Sequence, residues 1–409
     1  MALAVSRSLQ VAETARLEGS DMKYRKFGKI NWKVSALGFG CMRFPTMVED
    51  KSKIDEPEAT RMLHYAIDHG LNYVDTAYTY HRGESERFLG RALKQGYREK
   101  VKLATKLPTW LVKTPEDFDM YLNEQLQRLQ TDHIDLYLLH SLNKRTWSKV
   151  RDLEVLEWAK RQLADGRIHH LGFSFHDAYE VFKEIVDAHN WTFCQIQYNH
   201  MDVKYQAGTK GLKYAASKGL AVVVMEPIMG GYLANPPRRI QRFWDTAAKK
   251  RTPADWALQW VWNQTEVSVV LSGMSTMEQV RENVASANAS GVNKLTKEEL
   301  RLITSVGKKY AQLRPIPCTG CEYCMPCPNG VDIPQNLRVY NDGMIHDSPD
   351  RARGLYSWMA GEKATRADSC IQCHQCEDKC PQKIPISDWM RVVHEVLGEG
   401  KPYAQRVNA

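Results

Sequence analysis

The sequence of 409 residues predicts an α/β protein: a (β/α)8 TIM barrel followed by a small helical, cysteine-rich domain. Eight short apolar runs, rich in β-branched residues, recur before residue 312 and alternate with amphipathic stretches of helical period. Eight of the ten cysteines then fall in two tight runs, "CTGCEYCMPCP" (318–328) and "CIQCHQCEDKCP" (370–381). The length supports the same division, because a parallel barrel uses about 250 residues and leaves room for one small unit more.

Residues 1–21 have a short apolar stretch with no basic segment before it and acidic residues within. They read as a flexible N-terminal extension or appended segment, not as a signal peptide. The barrel is expected over 22–312 and the cysteine-rich domain over 313–409. In order, the strand candidates are "SALGFG", "NYVDTA", "VKLATK", "IDLYLLH", "HHLGFS", "FCQIQYN", "AVVVMEP" and "VSVVLSG". Between them, "EATRMLHYAIDHG", "SERFLGRALKQG", "PEDFDMYLNEQLQRLQ", "LEVLEWAKRQLADG", "PADWALQWVWNQ" and "TMEQVRENVASAN" place apolar residues near helical spacing and end in Gly or polar stops. Eight β-then-α units close naturally into a barrel, with active groups in the loops at the C-terminal strand ends.

Composition narrows the function classes. Hydrophobic residues make up 43% and charged residues 25%, which is enough apolar material for a core and argues against disorder. No apolar run approaches the about eighteen residues needed to cross a bilayer. No membrane span is expected, and the expected location is cytoplasmic. The net charge of +8 comes from scattered lysines and arginines, with local runs "PPRRIQR" and "KKR" that read as solvated loops, so nucleic acid is not an expected partner.

Cysteine spacing separates the metal chemistries. A disulfide framework belongs to small exported chains, and zinc is usually held by separated C-x2-C pairs. The second run instead reads C-x2-C-x2-C-x3-C-P, the bacterial ferredoxin spacing, in which the fourth cysteine serves the other cluster. The first run is one residue shorter before its last cysteine. Crossed ligation gives Cys318, Cys321, Cys324 and Cys380 to one 4Fe-4S cluster, and Cys370, Cys373, Cys376 and Cys327 to a second. Two short helices, "IPQNLRVYNDGMI" and "SPDRARGLYSWMA", are expected between the runs. The domain resembles the helical two-cluster ferredoxin domains of respiratory and related oxidoreductases.

At the barrel rim, the second strand ends in Asp75 with Tyr80 five residues on, the third in Lys106, the fourth in His140. Any one of these is ordinarily a satisfied rim residue, but neighbouring strands bring all four together. Hydride reduction of a carbonyl leaves an alkoxide that needs a proton. A tyrosine supplies one, a nearby lysine lowering its pKa from about 10. Asp75 then positions Lys106, and His140 donates to the carbonyl oxygen. Cys41 and Arg43, in the first βα loop "GFGCMRFP", are candidates for the substrate mouth, as are the loop residues Trp110, Trp147, His81 and His176. Cys194 reads as an inert core thiol.

With "DTAYTY", "ESERFLGRAL", "ATK", "IDLYLLH", "LGFS", "QIQYN" and "VVLSGMSTMEQVRENV" in this order, residues 22–312 resemble the aldo-keto reductases. The resemblance implies NADP or NAD as cofactor, a small carbonyl or alcohol as substrate, and Asp75, Tyr80, Lys106 and His140 as the catalytic four. Ser174 and Gln195 would hold the nicotinamide amide, and the segment from Gly273 to Asn283, through Gly273, Met274, Ser275, Gln279, Glu282 and Asn283, the adenosine end. Gly273 and Gln279 lack the basic side chains common at these positions, which predicts a weaker preference for NADPH over NADH. Phe175 likewise stands where an amide-bearing residue is common. The clusters read either as staples of a small domain with little core of its own or as groups that exchange electrons with a protein partner or sense oxidant. The alternative to an enzyme is a redox-sensing or electron-transfer subunit whose barrel only binds nucleotide.

Overall fold

The computed structural model describes residues 22–50, 53–318, 320, 323–359, 365–380 and 382–403. The expected extension over 1–21, and Cys321, lie outside the described residues. Two compact units form: one of the chain up to Gly231 with Ala254–Thr296, the other of Tyr232–Pro253 with Lys297 onward.

The first unit opens with an antiparallel hairpin, β1 (Tyr24–Lys26) and β2 (Lys33–Ser35). Eight parallel strands follow: β3 (Leu37–Gly40), β4 (Tyr73–Asp75), β5 (Lys102–Leu107), β6 (Ile134–Leu142), β7 (Ile168–Phe175), β8 (Phe193–Gln197), β9 (Ala221–Met225) and β10 (Val267–Ser272), closed by β10 pairing with β3. These are the eight expected runs in the expected order. Their residues are buried almost throughout because helices cover the outside while side chains fill the inside, so the strands read as continuous apolar runs. The hairpin plugs the N-terminal end of the barrel. Phe27, fully buried, packs its ring on Tyr73 and Phe193, and the Arg25 guanidinium caps the carbonyls of Gln264 and Val267. Gly172 of β7 makes room for Phe193, whose ring a Cβ there would meet at 2.6 Å.

The second unit is helical. Ile333–Ile345 and Pro349–Trp358 are the two expected helices, joined by Ile386–Leu397. Their buried residues include Leu337, Tyr340, Tyr356, Trp389 and Val393, a core of the unit's own against which the cysteines pack. That corrects the expectation of a domain with little core. By packing, the second unit also takes in chain that precedes residue 313. Helix Lys297–Gln312 packs against helix Arg238–Trp244 within this unit, and Arg251 pairs with Glu299 at 3.0 Å with both side chains largely buried. The insertion after β9 and the last helix before the cysteines bury their apolar faces on one another, a pairing that sequence order does not reveal. No described helix is long and apolar enough to cross a membrane.

Candidate active site and cysteine centre

Parallel register brings the rim residues together. Asp75 ends β4 opposite Ala104 of β5, so Lys106 rises two residues above it, and Lys106 in turn lies opposite Leu138 of β6, two below His140. Tyr80 begins a tight turn after β4 in which His81, Arg82 and Gly83 all take positive φ. Glycine suits this last position, and helix Glu84–Ala92 starts directly after it.

The four groups form one chain of contacts. Lys106 Nζ donates to Asp75 Oδ1 at 2.7 Å, to the Thr76 carbonyl at 2.6 Å and to the Tyr80 hydroxyl oxygen at 3.2 Å. All three ammonium donors are therefore used, and the Tyr80 hydroxyl proton is left for an acceptor. The Tyr80 and His140 rings meet edge-on with centroids 6.1 Å apart, and Trp110 covers His140 at 4.9 Å. Among the described residues, the buried His140 Nδ1 has no hydrogen-bond partner.

Burial sets the protonation states. It pushes the Tyr80 phenol above its ordinary pKa; Lys106 pulls in the opposite direction but does not overcome it, so the expected lowering of Tyr80 is not found. Burial alone would lower Lys106, but Asp75 and Tyr80 more than offset it and hold the ammonium charged. Burial, with Lys106 and His176 adding to it, drives His140 well below the usual range and keeps the imidazole neutral at pH 7.

A brace behind this rim was not visible in the sequence. The buried carboxylate of Glu86 accepts from Thr105 Oγ1 at 2.6 Å, Gln125 Nε2 at 2.8 Å and Arg128 at 3.2 Å, and Gln125 also donates to the Lys106 carbonyl at 3.0 Å. "ESERFLGRAL" contains Glu86, but a charge between two apolar stretches reads as a solvated face. Other mouth candidates separate. His81 accepts from the Phe44 N–H at 3.2 Å, and the His176 N–H donates to the Leu142 carbonyl. Trp147 is not at the mouth: its ring is buried beside Trp191, where the helix face turns inward. Cys41 is also fully buried, its N–H held by the Asp75 carbonyl, so it underlies the mouth rather than lining it. Cys194 is buried as expected.

In the second unit, Cys324, Cys327, Cys370, Cys373 and Cys376 line one pocket. Cys327, from the shortened first run, thus reaches the three N-terminal cysteines of the second. Cys370 Sγ accepts from the Gln372 N–H at 3.4 Å. Cys380 is buried in the core that Cys318 and Cys324 pack against. Five cysteines from the two runs around one pocket fit an iron-sulfur site.

The aldo/keto reductase family profile matches residues 36–308. The chain belongs to that family. A 4Fe-4S dicluster domain matches residues 317–384. The uncharacterized oxidoreductases YrpG and YqkF of Bacillus subtilis are each 28% identical over 70% of this chain and 96% and 97% of their own lengths. The holo form of aldo-keto reductase AKR11C1 from Bacillus halodurans superposes with a TM-score of 0.59 at 29% identity, covering 70% of this chain and 96% of that one. This is an aldo-keto reductase-type oxidoreductase carrying a 4Fe-4S domain.

The candidate cofactor residues lie on β7, on β8 and in the segment after β10. Ser174 and Gln195 are register partners on β7 and β8, both buried, and Gln195 Oε1 has no partner among the described residues. Ser174 Oγ accepts from the Ser141 N–H at 2.7 Å. Phe175 is turned away into the core against Phe182, so it does not stand in for an amide at the rim. After β10, Met274 is fully buried, which leaves only its backbone for a ligand. Thr276 caps helix Met277–Asn288 by accepting from the Gln279 N–H, the Gln279 side chain takes the Ser275 N–H at 2.8 Å, and Asn283 donates to Ser272 Oγ. Glu282 is half-buried on that helix, and Arg281 lies over the Tyr65 ring at 5.7 Å.

At the opposite barrel end, His133, Asp135 and His169 gather ligand-type atoms within 4.8 Å. Asp135 is already neutralised there by Arg98 and Lys102, each at 2.8 Å, so the group reads as an ion-pair network.

Proposed function

We propose that this protein reduces an aldehyde or ketone, or oxidises the corresponding alcohol, using NADP or NAD, with Tyr80 as proton donor. The observation that carries the reading is Lys106 Nζ bridging the buried Asp75 carboxylate and the Tyr80 hydroxyl. The nicotinamide cofactor supplies a hydride when bound. Ser174 and Gln195 hold its amide, and Gly273, the Met274 backbone, Ser275, Gln279, Glu282 and Asn283 its adenosine end. The open Gln195 Oε1 suits an amide N–H. Neutral His140 orients the substrate oxygen. Tyr80, kept protonated by burial, passes its proton to that oxygen, and Lys106 stabilises the phenolate that remains. Trp110, over His140, presents an apolar wall to the substrate.

Cys318, Cys321, Cys324 and Cys380 hold one 4Fe-4S cluster in this reading, and Cys327, Cys370, Cys373 and Cys376 the second. Hydride chemistry moves an electron pair whereas a cluster takes one electron at a time, so the clusters serve the fold of their unit or a protein electron-transfer partner, not the hydride step. Thiolate-bound clusters suit a reducing compartment, consistent with a cytoplasmic site of action.

Anaerobic purification, iron and sulfide analysis, and nucleotide oxidation against a panel of carbonyl compounds test the whole reading. Turnover with no member of a broad panel, despite tight nucleotide binding, would turn it toward a nucleotide-binding subunit. The pH profile gives a second check. Burial holds the Tyr80 proton beyond the ordinary tyrosine range, so kcat/KM for reduction should stay level from neutral pH through mildly alkaline pH. An alkaline fall centred near pH 8 would contradict the burial argument. Stability should decline on the acid side. His140 is neutral in the fold and protonated in the unfolded chain below about pH 6.5, so protons favour unfolding there.

Cys373→Ser removes one thiolate from the pocket. Iron should fall by up to four atoms per chain, with the helical signal largely kept because the unit has its own core. Full iron content and unchanged visible absorption would show that Cys373 is not a ligand.

A further inference from the structure

Resting on the nucleotide-binding reading above, we propose that Arg43 selects NADPH over NADH, its guanidinium taking the 2′-phosphate at the loop after β10. The sequence places Arg43 in a different loop, after β3, more than two hundred residues from Gly273. The fold brings them into contact: a Cβ on Gly273 would meet Arg43 Cβ, Cγ and Cδ at 3.3, 3.4 and 3.5 Å. The arginine stem therefore lies across the glycine, filling the space where a side chain of residue 273 would stand.

The backbone under Arg43 is held at three points. Its carbonyl accepts from Ser275 Oγ at 2.7 Å, the next residue's N–H donates to His81 Nε2, and Phe44 is buried against Phe39 and Phe88. The side chain itself is exposed and has no acidic partner among the described residues. Its charge is available to a ligand without first breaking an ion pair.

Charge balance also singles out Arg43. Helix Met277–Asn288 carries Glu278 and Glu282 in its first turns, and its one basic residue, Arg281, lies over Tyr65 of helix Glu56–Asp68. A phosphate dianion at the start of that helix therefore needs a cation from elsewhere. Arg43 is already on the loop. Its planar fork suits a phosphate, and Ser275 and Gln279 stand beside it as neutral hydrogen-bonding groups. The weaker NADPH preference expected from positions 273 and 279 is thereby reversed, since the missing charge arrives from another loop.

Dissociation constants for NADPH and NADH, measured by fluorescence titration at two salt concentrations, test this on the full chain. Arg43→Met keeps the stem and removes the charge. It should weaken NADPH about tenfold to a hundredfold, reduce the salt dependence of NADPH binding, and leave NADH nearly unchanged. Arg43→Lys should recover part of the loss, and Arg281→Met should affect neither nucleotide. Equal weakening of both nucleotides would put Arg43 on the shared diphosphate and overturn the assignment, as would no weakening of either. A parent protein that binds neither nucleotide would remove the binding site itself, and with it the reading on which this inference rests.

Discussion

Tyr80→Phe should lower kcat for carbonyl reduction by about 10²- to 10⁴-fold while leaving the NADPH dissociation constant within a factor of about two. The substitution deletes one oxygen. That oxygen accepts from Lys106 Nζ at 3.2 Å, and its proton is the one not committed to any neighbour among the described residues. Lys106 keeps its bonds to Asp75 and Thr76, so the ammonium stays in place and the rim around it is preserved. The loss should therefore appear in the chemical step alone. A primary kinetic isotope effect with deuterated nucleotide should appear or increase in the variant as proton transfer is left to water. Turnover equal to that of the parent would remove Tyr80 from the role of donor.

Lys106→Met should be damaging twice over. Asp75 would be left as a buried carboxylate without its cation, a loss of about 3–5 kcal/mol in a two-state unfolding measurement. Tyr80 would lose the one group that pulls its pKa down against burial, so its phenolate would be harder to form and reduction should slow by orders of magnitude. A second substitution separates the two effects. Asp75→Asn combined with Lys106→Met removes both charges and should recover much of the stability, because no ion is then stranded, without recovering turnover. Stability unchanged in the single variant would mean that the buried pair is not charged as described. Turnover recovered in the double variant would mean that Lys106 acts only through the fold.

The rim positions were readable because Asp75, Lys106 and His140 are polar residues at or near the C-terminal ends of apolar runs, with Tyr80 in the turn after the first of them. A parallel strand of known direction places its last residue at the rim, and three consecutive strands are neighbours in a barrel. The helices between the cysteine runs were legible for a similar reason: Pro near the first turn and apolar residues at helical spacing are local signals. Glu86 was not legible. Its burial depends on Thr105, Gln125 and Arg128 reaching it from β5 and from helix Glu116–Leu129, and no local pattern distinguishes a braced carboxylate from a solvated one. Trp147 failed as a mouth residue on the same ground: it lies in helix Lys144–Asp152 rather than a loop, and the sequence does not say which face of that helix packs inward.

What the sequence by itself determined is the order and period of the elements: eight strands that close into a barrel, the rim positions of Asp75, Lys106 and His140, and two cysteine runs with iron-sulfur spacing. These follow from chirality, hydrogen-bonding period and ligand spacing, which act over a few residues and leave their mark in neighbouring letters. Only the tertiary structure decided the rest. It set Arg43 across Gly273, carried Cys327 to the second cysteine run, packed the segment after β9 with the last helix before the cysteines, and let burial outweigh Lys106 at Tyr80. Each of these depends on which distant groups exclude water from one another, and desolvation is a property of the packed neighbourhood, not of any stretch of chain.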